Sequence, residues 1–177
     1  MIEGLNLPAS VRSRSADVVI RRATPDDLDA IVRLLSDDPI SAGRGDAARD
    51  EDRGAYANAL ERIVANPANE LLVAVDEAGR VTATMQLTLI PGMARRGSTR
   101  LLVEAVRVAS AERSSGIGTA LMRWVMDAAA VELGAALVQL TSDAARVDAH
   151  RFYRRLGFAD SHVGFKYAVP SATTSAR

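Results

Sequence analysis

The residues best spaced for chemistry are Gly116 and Gly118, which follow the β-rich run Val103-Glu104-Ala105-Val106-Arg107-Val108 and the turn Arg113-Ser114-Ser115, and which open a helical pattern. Glycines where a strand turns into a helix let backbone N–H groups approach an anion closely, and the helix dipole adds positive potential at the same point. A pyrophosphate fits such a site; a tight turn with no ligand is the alternative that the spacing leaves open. Two nucleotide motifs are excluded. The G-x-x-x-x-G-K-[ST] run of a phosphate loop is absent, and a dinucleotide fingerprint needs a third small residue where this chain has Leu121. The chain has no cysteine, which excludes disulfides, thiolate metal sites and a covalent cysteine intermediate. His150 and His162 are the only histidines, and neither stands in a Cys/Asp/Glu ligand pattern, so no metal is expected.

The elements that must position this turn can be read from the apolar periodicity. Val18, Val19 and Ile20 start a strand, and Thr24-Pro25-Asp26-Asp27 supplies a cap, a first-turn proline and acidic groups for a helix carrying Leu28, Ile31, Leu34 and Leu35. Asp37-Asp38-Pro39 stops that helix before a glycine-containing loop to about Asp46. A second helix is predicted over 49–64, with Tyr56, Leu60 and Ile63 on one side and Asn66-Pro67 ending it. Residues 70–75 and 81–90 form a hairpin across Asp76-Glu77-Ala78-Gly79, and 101–109 is a further strand. After the glycine turn, Ile117, Leu121, Val125 and Ala128 or Ala129 mark a helix ending near Gly134. Strand 136–141, helix 146–156 with Gly157 as its C-cap, and a last strand over 163–169 complete the chain. The order β-α-α-β-β-β-α-β-α-β is mixed α/β, and the sheet is expected to be mixed as well.

At 177 residues and 48% hydrophobic, the chain suits one domain with a real core, expected over residues 17–170 between a flexible leader (1–16) and a flexible tail (171–177). The leader carries Arg12 and Arg14 but no apolar run of the secretory kind. Lys plus Arg and Asp plus Glu both number 22, so no global field favours nucleic acid or an anionic membrane. The most apolar stretch, 124–140, is broken by Asp127 and Glu132, which argues against a membrane span. A cytoplasmic location is the expectation.

Arg113, Gly116 and Gly118 match the motif [RQ]-x-x-G-x-[GA], and Ala149-His150-Arg151-Phe152-Tyr153-Arg154-Arg155-Leu156-Gly157-Phe158 looks like A-x-x-F-Y-x-x-x-G-F. With these two motifs the chain resembles the GNAT superfamily of acyl-CoA N-acetyltransferases over roughly residues 19–169. The resemblance implies a single α/β domain whose mixed, mostly antiparallel sheet is flanked by helices. It implies acetyl-CoA as cosubstrate, a small-molecule amine as acceptor, and a homodimer.

The resemblance also implies residue roles. The backbone of Val106 and Val108, with Arg107 between them, would run along the pantetheine arm. N–H groups of Arg113, Ser114, Ser115, Gly116, Ile117, Gly118 and Thr119 would hold the pyrophosphate. Glu104 would be the general base; the other reading is an ion pair with Arg100. Tyr153 would protonate the departing thiolate; the other reading is a core aromatic beside Phe152 and Phe158. Ser114 stands where many relatives carry glycine, and Arg146 where many carry asparagine, so the asparagine's cofactor contact does not transfer. Residues 39–46 and 91–100 would shape the acceptor pocket, and Arg95, Arg96 and Arg100 would either hold an acceptor anion or lie solvated. An O-acyltransferase and a non-catalytic CoA-binding module are the competing classes. Trp124 is expected to pack at the flank of its helix.

Overall fold

The computed structural model describes residues 1–169. Contacts divide the chain into two compact units, residues 1–140 and residues from 141 onward, and each is described by itself. The tail expected over 171–177 lies outside the described residues.

The first unit is built on a six-stranded sheet in the order β1 to β6: β1 (Ala9–Arg12), β2 (Asp17–Arg22), β3 (Asn69–Val75), β4 (Val81–Ile90), β5 (Arg100–Val108) and β6 (Leu137–Leu140). All neighbours are antiparallel except β5 and β6, which are parallel, so the sheet is mixed and mostly antiparallel as expected. Helices α1 (Leu28–Ser36), α2 (Pro39–Ala42) and α3 (Arg53–Val64) lie between β2 and β3, and the four-residue turn α4 (Ala94–Gly97) between β4 and β5. The crossover from β5 to its parallel neighbour runs through α5 (Ile117–Trp124), a π-helical turn (Val125–Ala129) and α6 (Ala130–Glu132), as a parallel connection requires.

The apolar stripes read from the sequence are the buried ones. Leu28, Ile31 and Leu60 join Leu71, Val73 and Val75 in one cluster, with Leu35, Tyr56 and Ile63 packed against it. On the crossover, Ile117, Leu121, Val125 and Ala129 are all buried. Their spacing of four keeps one face of the helix on the sheet.

Two expectations need correction. The N-terminal residues are not a flexible leader. Ile2 is fully buried, Arg22 holds the carbonyls of Glu3 and Leu5 at 2.9 and 3.3 Å, and β1 pairs with β2 from Ala9↔Ile20 to Arg12↔Asp17. The turn is closed by the Ser13 N–H donating to the Ala16 carbonyl (3.0 Å). Alternation over a short segment is enough for a strand once a partner is in register.

The second correction concerns 163–169, where no strand forms among the described residues. Phe165 is 93% exposed and Tyr167 84%. β-branched and aromatic residues supply the propensity, but a strand also needs a neighbour for its N–H and C=O groups. Among the described residues of this second unit the regular element is α7 (Val147–Leu156), ended by Gly157 in the left-handed region (φ +99°). The Phe158 N–H donates to the Tyr153 carbonyl at 3.1 Å, closing the cap.

The start of α1 rests on a buried ion pair. Arg21 donates twice to Asp27, at 2.7 and 2.8 Å, and the Thr24 N–H donates to the same carboxylate at 2.8 Å. Asp27 is 6% exposed, yet the Arg21 bonds first and the Thr24 bonds after them hold its carboxyl below the usual range against the opposing effect of burial. A carboxyl whose folded pKa is depressed stabilises the fold above its unfolded value, and that contribution is lost as pH falls through the folded value. Asp27→Asn is therefore expected to lower stability by about 1.5–3 kcal/mol at neutral pH. Urea denaturation should show the gap to wild type closing below a pH of about 4; a gap constant from neutral pH to acid would contradict it.

Candidate active site

Strand β5 meets different neighbours along its length. On one side it pairs with β4 as far as Ala83↔Val108, while on the other its parallel pairing with β6 runs only from Arg100↔Leu137 to Val103↔Leu140. Among the described residues, 104–108 therefore continue with no partner strand on the β6 side. A bulge coincides with this parting. The β4 register moves from Gln86↔Glu104 to Thr84↔Arg107, so Ala105 and Val106 together face Met85. Ala105 takes φ +51°, an unusual conformation for a residue with a Cβ.

The bulge also sorts the side chains. Leu101 and Val103 are buried, whereas Glu104 is exposed, opposite Gln86. The ion pair with Arg100 does not form, and among the described residues Glu104 makes no side-chain hydrogen bond or salt bridge. Arg107 is half-buried and donates to the Val106 carbonyl at 2.9 Å and to Ser41 Oγ at 2.6 Å. Apart from the Val106 carbonyl, which accepts Arg107, this strand edge is open, and an open edge is what the amides of a pantetheine arm can satisfy.

The loop after β5 winds through consecutive turns into α5. The Arg113 N–H donates to the Ser110 carbonyl and the Ser115 N–H to the Glu112 carbonyl, both at 3.2 Å. The Ile117 N–H has a long contact with Ser115 Oγ at 3.4 Å. Among the described residues, the N–H groups of Ser114, Gly116, Gly118 and Thr119 have no acceptor. Those four are the donors open to an anion at the positive end of α5. The Arg113 side chain is engaged elsewhere, donating to the Asp37 carbonyl at 2.9 Å. Open donors beside an open strand edge fit a CoA pyrophosphate and its pantetheine arm.

Gly116 is needed for two independent reasons. Its φ is +94°, and a Cβ built there would lie 2.8 Å from the Arg14 backbone nitrogen. The β1–β2 turn presses on the loop from that side, with the Arg14 N–H and Ser15 Oγ both donating to the Ser115 carbonyl (3.1 and 3.2 Å). Sequence reasoning missed this support; the available signal was Val11 and Val18-Val19-Ile20 on either side of the polar Ser13-Arg14-Ser15. A cleft of about 440 Å³ lies beside the turn, with Arg14, Gly116, Thr119, Arg123 and half-buried Trp124 in its wall. Trp124 thus sits at the flank of its helix.

Tyr153 stands on α7 in the second unit, partly buried, with its ring edge-on to Phe152 (5.1 Å between centroids) and Phe158 (5.8 Å). His150 Nε2 lies 2.8 Å from the Asp143 carbonyl. The structure thus brings 104–108 and 113–119 together in one unit, and Tyr153 belongs to the other. Of the segments expected to shape the acceptor pocket, 91–100 contains α4, where Arg95 and Arg96 both take left-handed conformations (φ +54° and +61°). The segment 39–46 ends where Tyr56 donates to Asp46 at 2.8 Å, and burial first, then that bond, pushes the Tyr56 hydroxyl up to about 12.

Strain in the loop gives a paired prediction. Ser114 (φ +71°) and Ala105 (φ +51°) hold conformations that disfavour a Cβ by about 1–2 kcal/mol, part of which glycine's extra unfolded-state entropy offsets. Ser114→Gly and Ala105→Gly should each raise stability by about 0.5–1 kcal/mol, whereas Gly116→Ala should lower it by more than about 1 kcal/mol. Thermal melts of the three variants check the signs; a stable Gly116→Ala protein would contradict the packing of Arg14 on the loop.

Comparison with known proteins identifies the family and the fold. The family model described as the Acetyltransferase (GNAT) family matches residues 28–158. A transcriptional regulator from Bacillus halodurans C-125 superposes with a TM-score of 0.80 and 38% identity, covering 86% of this chain and 99% of its own. Glucosamine-6-phosphate N-acetyltransferase from Arabidopsis thaliana shares the fold at a TM-score of 0.68 and 18% identity, covering 86% of this chain and 99% of its own. An aminoalkylphosphonate N-acetyltransferase from Salmonella typhimurium is 40% identical over 57 residues, a match spanning 32% of this chain and only 36% of that relative. The chain belongs to the GNAT acetyltransferase family.

Proposed function

We propose that this protein is an acetyl-CoA-dependent N-acetyltransferase that moves the acetyl group by direct attack to a primary amine of a small molecule. The observation that carries the proposal is the parting of β5 from β6 after Val103, which leads without interruption into the four open donors of the loop. Donors at a helix N-terminus suit the pyrophosphate, and the free edge of 104–108 suits the pantetheine amides. An amine acceptor is supported by the name of the curated relative, an N-acetyltransferase. A cytoplasmic location and a homodimer belong to the same proposal.

In this reading Glu104 takes the proton that an ammonium must lose before its nitrogen attacks the thioester carbonyl. Its exposure, and the lack of a competing cation among the described residues, leave the carboxylate accessible to an acceptor or to a bridging water. The phenol of Tyr153 gives a proton to the departing thiolate. A backbone N–H at Val106 steadies the negative charge that builds on the carbonyl oxygen. The amine gains the acetyl group as the C–S bond breaks, and no covalent enzyme intermediate is involved.

A second reading has one observation behind it: the 38% identical Bacillus halodurans chain is described as a transcriptional regulator. A CoA-binding regulatory module would bind the cosubstrate without turning it over. Thermal-shift titration separates binding from its absence, since acetyl-CoA at ~100 times its Kd should stabilise by about 2.7 kcal/mol while NAD should not. Thiol release across a panel of amines then separates turnover from binding. Glu104→Gln and Tyr153→Phe should each cut turnover by about 10²–10⁴ while CoA still binds. Unimpaired turnover in both variants would refute the assigned roles.

A further inference from the structure

The segment after α1 is bonded at both of its ends to the strand and loop of the candidate site. Asp37 continues α1, its N–H donating to the Arg33 carbonyl at 3.0 Å, so it is fixed to a packed helix. From there it grips the loop through two different atoms. Its carboxylate accepts the Ser110 N–H at 2.7 Å, and its carbonyl accepts the Arg113 guanidinium at 2.9 Å. Ser110 and Arg113 are themselves joined by a turn bond of 3.2 Å, which closes the ring of contacts. The next turn bond, Ser115 to Glu112, carries the chain to Gly116 and the open donors.

Three residues beyond Asp38 the segment meets β5 as well. Asp38 caps α2 by accepting the Ser41 N–H at 2.8 Å, which orients a serine that is only 3% exposed. Ser41 Oγ accepts Arg107 Nη2 at 2.6 Å, and Arg107 Nη1 donates to the carbonyl of Val106 at 2.9 Å. The charge attraction between Arg113 and Asp37 is a minor part of this, since the closest carboxylate approach is 3.6 Å between groups 52% and 35% exposed. The weight falls on directional bonds, of which the one from Ser110 to a carboxylate is charge-assisted.

We propose that Asp37 and Arg107 are positioning residues which couple segment 37–46 to the cosubstrate strand and loop, so that cosubstrate binding orders that segment before an acceptor arrives. This rests on the acetyl-CoA reading above. Fixing the donors of 114–119 on a pyrophosphate removes motion from Ser110 and Arg113, and Asp37 passes that restriction to α2 through Asp38 and Ser41. Coupling of this kind is a free energy shared between two sites, and it needs no large displacement.

Hydrogen exchange read by mass spectrometry, with and without saturating acetyl-CoA, tests it. In the wild type, exchange should slow across 114–119 and also, by about fivefold or more, across 40–46. In the double variant Asp37→Ala/Ser41→Ala, which of these links keeps only the bond from Arg113 to the residue-37 carbonyl, the protection of 114–119 should persist while most of that of 40–46 is lost. Ser41→Ala alone, which removes one hydroxyl, carries the test if the double variant does not fold, and should reduce the protection of 40–46 in part. Protection of 40–46 that survives in the variants, or its absence from the wild type beside a protected 114–119, would overturn the coupling alone. Absence of protection at 114–119 in the wild type would overturn the cosubstrate reading and the coupling with it.

Discussion

The parting of β5 from β6 is the constraint on which the site depends. A sheet that stayed paired to its end would satisfy the amide groups of 104–108 internally and leave nothing for a polar arm to bind. Instead β6 stops at Leu140, opposite Val103, and the bulge at Ala105 adds local twist just beyond that point. An unpaired strand edge is ordinarily an aggregation hazard. Here it is short, and the Arg107 guanidinium already spans the Val106 carbonyl.

The loop between β5 and α5 is held from two directions. The β1–β2 turn fixes Ser115 through Arg14 and Ser15, while Asp37 at the end of α1 fixes Ser110 and Arg113. These supports at Ser110, Arg113 and Ser115 set the direction of the loop, while the donors between and beyond them keep freedom that a bound anion would remove. The same frame tolerates Ala105 and Ser114 at positive φ. Backbone strain of this sort persists only where the surroundings over-determine it, and both residues border the open strand edge or the donors.

The features written locally were legible in the sequence. The stripes Leu28/Ile31/Leu34 and Ile117/Leu121/Val125 marked the buried helix faces because burial on a helix repeats every three or four residues. Gly157 takes the left-handed conformation expected of a C-cap, and Gly116 stands at the glycine turn read from the sequence, also left-handed. Long-range facts were not legible. The apolar residues flanking Ser13-Arg14-Ser15 signal a hairpin, but not that its turn will meet Ser115, a hundred residues on, and the pairing of 9–12 depends on a register set by β2. Residues 163–169 show the converse, where strand propensity is present and, among the described residues, no partner strand meets it. For the site, the strand and the glycine turn could be read from types and spacing, whereas the narrowing of the donors to Ser114, Gly116, Gly118 and Thr119 required knowing which N–H groups the turns consume.

In the proposed reading the cosubstrate lies along the free edge of β5 and over the donors of the loop. A crystal structure of the protein grown with CoA would test that location most directly. The account predicts pyrophosphate oxygens within hydrogen-bond distance of the Gly116 and Gly118 N–H groups, with the pantetheine arm lying along the free edge of Val106 and Val108. Pyrophosphate seated instead in the cleft by Arg14 and Arg123, with the edge of β5 left bare, would contradict it.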